Sequence, residues 1–312
     1  MYIDTVIVGG GPAAVMAALE LEKRNIDYVI IYPKNYSKIC GGLLTPETVE
    51  WLKKRNLSSI IDNSLTTPSH LDLLIVDHIA HKTTRKKKYI INIDRYKFDE
   101  ELREKIDNKR KINGAVTNIK NMGGLFNIYY TNSMIKSKHL IYAIGPNSKF
   151  LNKMPQITIQ HHYEISGKNI KEVIFILHEK IKEFYIWVIP KDNNLIIGSL
   201  NKYKMLMEPI VEETLKGLGY DIRLDKIVKK EGYLLALPNQ PKDIICSHNN
   251  IIFAGESANF VSRKSGKGIY YALISGELAG KYYDSPVLYS NAVKPLMDKL
   301  IKKMEEAKSI YL

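Results

Sequence analysis

The feature that most restricts what this chain can fold into lies at its N-terminus. Ile3 to Val8 is a short apolar, β-branched run of the kind buried in a parallel sheet. Gly9-Gly10-Gly11-Pro12-Ala13-Ala14 follows at once, and Val15 to Lys23 then carries helix formers with a largely apolar face. Tyr28 to Tyr32 supplies a second strand. Strand, glycine-rich turn, helix and strand make the βαβ unit that binds dinucleotides. In that unit Gly9 permits the tight turn, Gly11 lets backbone N–H groups approach a pyrophosphate, and Ala14 takes the close helix-packing position. The helix start directs its positive dipole end at the phosphates, so Gly9, Gly11, Pro12, Ala13 and Ala14 are the expected diphosphate contacts.

One expected group is missing. The second strand ends Ile31-Tyr32-Pro33-Lys34, where a ribose-binding acid usually stands. Tyr32 cannot accept hydrogen bonds as a carboxylate does. Contacts of Tyr32 and Pro33 with a cofactor are therefore expected through backbone or water, and the ribose acceptor must lie elsewhere.

Further along, Cys40-Gly41-Gly42-Leu43 precedes a helix start with Thr45 as cap and Pro46 at the first helical position. Such a loop leaves room for a flat ligand and can lower a thiol pKa; the alternative is a tight loop with an incidental cysteine. Residues 71–76 and 89–93 read as strands flanking a basic turn, Lys82 to Lys88, in a second, antiparallel sheet. Asp94 to Leu102 opens a helix with acids in its first turn. Residues 114–131 alternate as a β-meander, and Lys138 to Gly145 is a buried strand ending in a glycine turn. Several strands fill 157–200, with Tyr185 and Trp187 on one side of one of them. A helix covers 208–218. Ile251 to Ala254 is a last buried strand before Gly255-Glu256, and Gly266-Lys267-Gly268-Ile269 begins a helix that runs to Gly280.

With 312 residues the chain is long enough for about two domains and a core without disulfide or metal staples. Two cysteines, Cys40 and Cys246, exclude a disulfide scaffold and fit a reducing cytoplasm. Cys246 reads as an inert strand residue. The N-terminus lacks signal-peptide features, and no apolar run approaches the roughly 18 residues that a membrane span needs. The expectation is a cytoplasmic protein, at most peripheral to a membrane. A net charge of +13 has two readings, an anionic partner or a lysine-rich composition spread along the chain. No helix-turn-helix, zinc-finger or RNP-like pattern accompanies it, so nucleic acid is not an expected partner. His161-His162 and His78 with His81 lack a third ligand at metal-binding spacing. From Asn291 to Ile310, Val293, Leu296, Met297, Leu300, Ile301 and Met304 share one helical face, which either packs on the body or lies on a membrane.

Five blocks taken in order carry a resemblance: GGGPAA, KICGGLL, DRYKFDEEL, YIWVIPK and AGESANFVSRKSGKGIYYALISGELAG. Together they span almost the whole chain and resemble the geranylgeranyl reductase family of FAD-dependent oxidoreductases. The CbrA-like members look most similar, and the aromatic-ring hydroxylases share the FAD fold more distantly. The resemblance implies an α/β, Rossmann-like FAD domain of the GR2 type with an inserted antiparallel β-sheet substrate domain and a C-terminal helix. The boundaries expected are 1–60, 95–150 and 240–290 for FAD, 61–94 and 151–239 for substrate, and 291–312 for the tail.

The same resemblance implies residue roles. Arg95 lies near the FAD, Gly145 closes the turn after the central strand, and Gly255-Glu256 replaces a Gly-Asp pair that touches the ribityl chain. Gly266, Lys267, Gly268 and Ile269 form the helix start beside the flavin ring. Gly41, Gly42 and Leu43 line the cofactor, Cys40 faces it, and Tyr185 and Trp187 wall the substrate pocket. The family's A-D-G stretch is Ala143-Ile144-Gly145 here. No second G-x-G-x-x-G follows a strand, so electrons are expected from NAD(P)H visiting the same site or from a small redox protein. The expected reaction reduces C=C bonds of a prenyl lipid, with Cys40, Tyr185 or water as proton donor. A monooxygenase or halogenase-like enzyme and a non-catalytic flavin- or lipid-binding resistance or sensor protein are the alternatives.

Overall fold

The computed structural model describes residues 1–34, 38–151, 154–165, 170–224 and 226–311. The chain opens with β1 (Tyr2–Val8), α1 (Pro12–Lys23), β2 (Tyr28–Tyr32) and the short β3 (Leu43–Leu44). Helices α2 (Pro46–Lys53) and α3 (Ser58–Ser64) precede a long hairpin, β4 (Leu65–Asp77) and β5 (Lys82–Ile93). Then come α4 (Arg95–Glu104), β6 (Lys111–Asn113), β7 (Val116–Met122), β8 (Leu125–Tyr130) and β9 (Ser133–Tyr142). The strands β10 (Gln156–Glu164), β11 (Glu172–Leu177), β12 (Ile186–Lys191) and β13 (Asn194–Leu200) follow, with α5 (Lys204–Gly217) and β14 (Ile227–Leu235) after them. The chain closes with β15 (Ser247–His248), β16 (Ile251–Phe253), α6 (Ile269–Lys281) and α7 (Pro286–Tyr311).

By contacts the chain divides into two units. Unit 1 comprises Met1–Ser37, Asp99–Pro155 and Ala236–Ala307, and unit 2 comprises Lys38–Phe98, Gln156–Leu235 and Lys308–Leu312. Residues 38–60 and the first turn of α4, Arg95 included, therefore group with unit 2, whereas the sequence reading assigned them to the FAD lobe.

Unit 1 is built on a sheet of order β15-β16-β9-β1-β2-β6, with β7 and β8 added beside β9. The run from β16 to β6 is parallel throughout. Parallel strands buried on both faces explain the unbroken apolar character of Val6 to Val8 and Tyr28 to Ile31, all nearly solvent-free. Helix α6 packs on α1 at backbone contact distance. A Cβ on Gly276 would lie 2.2 Å from the Ala13 carbonyl oxygen, and one on Gly280 would lie 2.5 Å from that of Ala17. Helix α7 buries Val293, Leu296, Leu300, Met304 and Ala307, in line with the packing reading of the tail.

Unit 2 is a sheet of order β14-β10-β13-β12-β11-β4-β5-β3. It departs from the expected antiparallel sheet at one place, since β4 and β11 run parallel. The basic stretch Lys82 to Lys87 is strand β5 rather than a turn, and the reversal falls at residues 78–81. Helix α5 covers one face of the sheet with Met207, Ile210, Val211 and Leu215. At α4 the acid is a cap outside the helix: Asp94 Oδ1 accepts from the N–H groups of Tyr96 and Lys97 at 2.8 and 3.0 Å.

Candidate functional site

In unit 1 the register places Val8 beside Ile31 and Tyr142, Tyr32 beside Asn113, and Tyr142 beside Phe253. The turns after β1, β2, β6, β9 and β16 consequently leave the sheet along one carboxyl edge. In open α/β sheets ligands lie in the crevice outside that edge.

The turn after β1 is glycine by necessity. Gly9 has φ +127°, and a Cβ there would lie 2.2 Å from the Ala143 carbonyl oxygen. Gly11 is the N-cap of α1 in an extended conformation, without a side-chain cap, and Pro12 follows at the helix start. No acid occupies the first turn. The first-turn N–H groups, those of Ala13 and Ala14 among them, have no intrahelical acceptor and present partial positive charge. Ala14 is fully buried, and it is Ala13 that makes the close approach to α6.

Arg103 of α4 was not anticipated. It is buried, donates from Nη1 to the Gly10 carbonyl at 3.1 Å, and sits 5.8 Å over the Tyr32 ring. Its guanidinium therefore adds a full charge behind the glycine turn. Arg95, Asp99 and Arg103 recur every fourth residue and are all buried, a pattern in an otherwise polar helix that would have flagged them. Burial raises the Tyr32 hydroxyl pKa, and the Arg103 charge pulls it back in part. Pro33 and Lys34 are exposed beyond it.

The turns after β9 and β16 are tied together. The Gly145 N–H donates to Ser257 Oγ at 2.9 Å, and that hydroxyl donates back to the Gly145 carbonyl at 3.3 Å. The Gly255 N–H donates to Ser275 Oγ at 2.9 Å, and a Cβ on Gly255 would lie 2.9 Å from that of Ala13. Glu256 is buried and its Oε1 accepts from the Ala236 N–H at 3.0 Å. Gly266 to Ile269 form the start of α6: the Gly266 N–H donates to the Ser262 carbonyl at 2.8 Å, the Ser262 N–H to the Lys267 carbonyl at 3.0 Å, and Gly268 is an N-cap without a side chain. So Gly9 to Ala14, Tyr32, Gly145, Gly255, Glu256 and Gly266 to Ile269 all belong to unit 1.

Cys40, Gly41, Gly42, Leu43, Arg95, Tyr185 and Trp187 belong to unit 2. There Lys191 organises the Cys-Gly-Gly loop. Its ammonium donates to the Gly41 carbonyl at 2.8 Å and to the Ile93 carbonyl at 2.7 Å, while the Ile93 N–H returns to the Gly42 carbonyl at 2.8 Å. Burial lowers the Lys191 pKa, opposed by the Cys40 thiol and then by Asp94, Asp192 and Glu231. Gly41 sits against Ile189, whose Cδ1 would be 2.5 Å from a Cβ at that position. Ile189 joins Leu71, Leu73, Ile90, Val173 and Ile196 in a core, against which Leu43, Phe175 and Trp187 pack.

Tyr185 stacks on Phe184 at 4.3 Å and meets the Trp187 ring edge-on at 6.4 Å. The Trp187 indole lies on Gly198, where a Cβ would be 2.3 Å from the ring. Its buried N–H has no acceptor among the described residues. That orphan donor marks an apolar face with one polar demand left open. His161 and His162 point to opposite faces of β10: His161 with Tyr163 beneath α5, and His162 to Glu231 at 2.7 Å. Among the described residues no three His, Cys, Asp or Glu side chains gather as a metal-ligand set. Cys246 is buried against Met297, and its thiol is pushed up to about 12 by burial.

No protein-family model matches the chain. A curated relative, Protein CbrA of Escherichia coli O9:H4, is 25% identical over 332 residues, covering 99% of this chain and 90% of its own length. Among solved structures, a geranylgeranyl bacteriochlorophyll reductase-like protein from Thermoplasma acidophilum superposes with a TM-score of 0.66 at 18% identity, over 98% of this chain and 83% of that one. A flavoprotein/dehydrogenase from Cytophaga hutchinsonii gives 0.70 at 16% identity, over 99% and 85%. The flavin-dependent brominase Bmp2 gives 0.69 at 14% identity, over 100% and 95%. By sequence this chain is similar to the CbrA proteins, and its fold is that of the geranylgeranyl reductase-like protein and the other flavoproteins it superposes on.

Proposed function

We propose that this chain is an FAD-dependent oxidoreductase that reduces carbon–carbon double bonds of a prenyl or isoprenoid lipid. The cradle at Gly9 to Ala14 is the observation that carries the cofactor. A backbone that only glycine can adopt at Gly9 and an uncapped helix start fit a dinucleotide diphosphate, with Arg103 behind them to balance its charge. The second uncapped helix start, at Gly268, suits the electron-rich end of an isoalloxazine.

When bound, FAD supplies hydride-transfer chemistry. The α1 amides would hold its diphosphate, with the Arg103 charge behind them, and the Gly255-Glu256 and Gly145 turns brace the cradle through Ser275 and Ser257. Lys191 fixes the Cys-Gly-Gly loop and so orients Cys40, whose Sγ delivers a proton, with the Tyr185 hydroxyl as the other candidate donor. Leu43, Phe175 and Trp187 would exclude water from an isoprenoid chain. The electron donor is NAD(P)H or a small redox protein, and a lipid substrate calls for peripheral membrane contact. Among the described residues no helix is long and apolar enough to cross a membrane.

The test is anaerobic incubation of the reduced, FAD-loaded protein with geranylgeranyl lipids, followed by mass spectrometry. Addition of hydrogen to the prenyl chain supports the reading, and unchanged lipid across several prenyl substrates refutes it. A monooxygenase or halogenase-like reaction is the second reading, favoured by the likeness to the brominase. Product-coupled O₂ consumption with NAD(P)H distinguishes it.

A further inference from the structure

We propose that Glu100, on α4, is the carboxylate that accepts from the 2′-hydroxyl of the adenosine ribose, in place of the acid that β2 lacks. This rests on the FAD reading above. At the carboxyl ends of β2 and β6 lies a cavity of about 280 Å³, lined by Tyr32, Lys34, Glu100, Arg103, Glu104 and Asn113 among others. A nucleotide whose diphosphate lies at Gly9 to Ala14 places its ribose at the end of the second strand of the βαβ unit.

Tyr32 is unsuited to that task. Its ring packs on Gly10, where a Cβ would be 2.6 Å from the ring, and beneath the Arg103 guanidinium. It forms a wall of the cavity and brings no carboxylate. Asn113 is engaged, its Oδ1 accepting from the Lys34 N–H at 2.8 Å. Arg103 is committed to the Gly10 carbonyl. Glu104 is exposed and lies in the field of Lys111.

Glu100 is half-buried, lines the same cavity as Tyr32, and has no hydrogen bond or ion pair among the described residues. Of the two α4 carboxylates that line the cavity it is the half-buried one, and a carboxylate is the group that binds a ribose hydroxyl most strongly. The acid has thus moved from a strand end to a neighbouring helix that faces the same space.

The experiment titrates the apoprotein with FAD and with FAD carrying a 2′-deoxyadenosine, for the native protein, Glu100→Gln and Glu104→Gln. A hydrogen bond to a charged group predicts that the native protein prefers FAD by about 10- to 100-fold. In E100Q the preference collapses towards one while affinity for the deoxy analogue stays native, which also reports an intact fold. E104Q keeps the preference. A native protein that binds FAD without preference, or an E100Q that retains it, overturns the inference and leaves the FAD reading standing. A native protein that binds neither flavin removes both.

Discussion

Two glycine-to-alanine changes should move stability in opposite directions, and the pair tests whether α6 truly rides on the backbone of α1. At Gly276 a new Cβ would meet the Ala13 carbonyl oxygen at 2.2 Å, against the 3.4 Å at which ordinary contact begins. The obstacle is backbone on a fully packed helix, so the two helices must part by about 1 Å or one must bend. Overpacking of that kind costs about 1–3 kcal/mol. At Gly217, the last residue of α5, nothing lies within 4 Å of a new Cβ and the conformation is helical. There the change recovers about 0.5–1 kcal/mol of helix propensity. Thermal unfolding of the apoprotein by circular dichroism should give Gly276→Ala a Tm lower by about 2–6 °C and Gly217→Ala one slightly higher. Because Ala13 is also part of the turn proposed to hold the diphosphate, Gly276→Ala should weaken FAD binding while Gly217→Ala leaves it native. A Gly276→Ala protein as stable as the native one, with native FAD affinity, would refute the packing account.

Further outcomes follow from individual contacts. Gly9→Ala should abolish FAD binding, read by flavin fluorescence, because neither φ +127° nor the approach to Ala143 tolerates a side chain. Glu231 is held at about 2 by its bond to His162, with Lys229 and Gln160 adding to it. A lowered carboxyl pKa contributes stability that is complete above its unfolded value and disappears as pH falls towards 2. Glu231→Gln should therefore lose on the order of 2 kcal/mol at pH 7 and flatten the acid-unfolding profile between pH 4.5 and 2, measured by denaturant titration. Lys191→Met removes two charge-assisted bonds, and hydrogen exchange at the Ile93 amide should accelerate because the loop that receives it loosens. In the native protein a thiol reagent at neutral pH should label Cys40 and spare Cys246, whose thiol is buried and titrates near 12. Labelling of both at comparable rates would contradict the packing of Cys246 on α7.

What could be read from the sequence is what local chemistry dictates. The first βαβ unit was legible because a buried parallel strand, a glycine turn and a helix start are each specified by neighbouring residues. The α6 start and the apolar stripe of α7 were legible for the same reason. Strand β5 was not. Its lysines carry no alternating apolar pattern, and it is held extended by pairing with β4, which is itself tied in parallel to β11. The bonds of Lys191 to residues 98 and 150 positions away, and the position of Arg103 behind Gly10, are tertiary facts with no local signal. That β2 ends in Tyr32 rather than an acid could be read from one strand alone. The carboxylate that shares its cavity comes from a different element.

The order in which unit 1 strands leave a ribosome differs sharply from their order in the sheet. β1 precedes its neighbour β9 by more than a hundred residues, and β16, with the turn that abuts Ala13, follows β9 by about a hundred more. Until then the N-terminal glycine turn lacks the partners that shape it. A nascent chain must therefore keep an apolar parallel edge from pairing wrongly while the residues between β1 and β16 are made, and no fragment cut before residue 251 can assemble the complete carboxyl edge of this sheet.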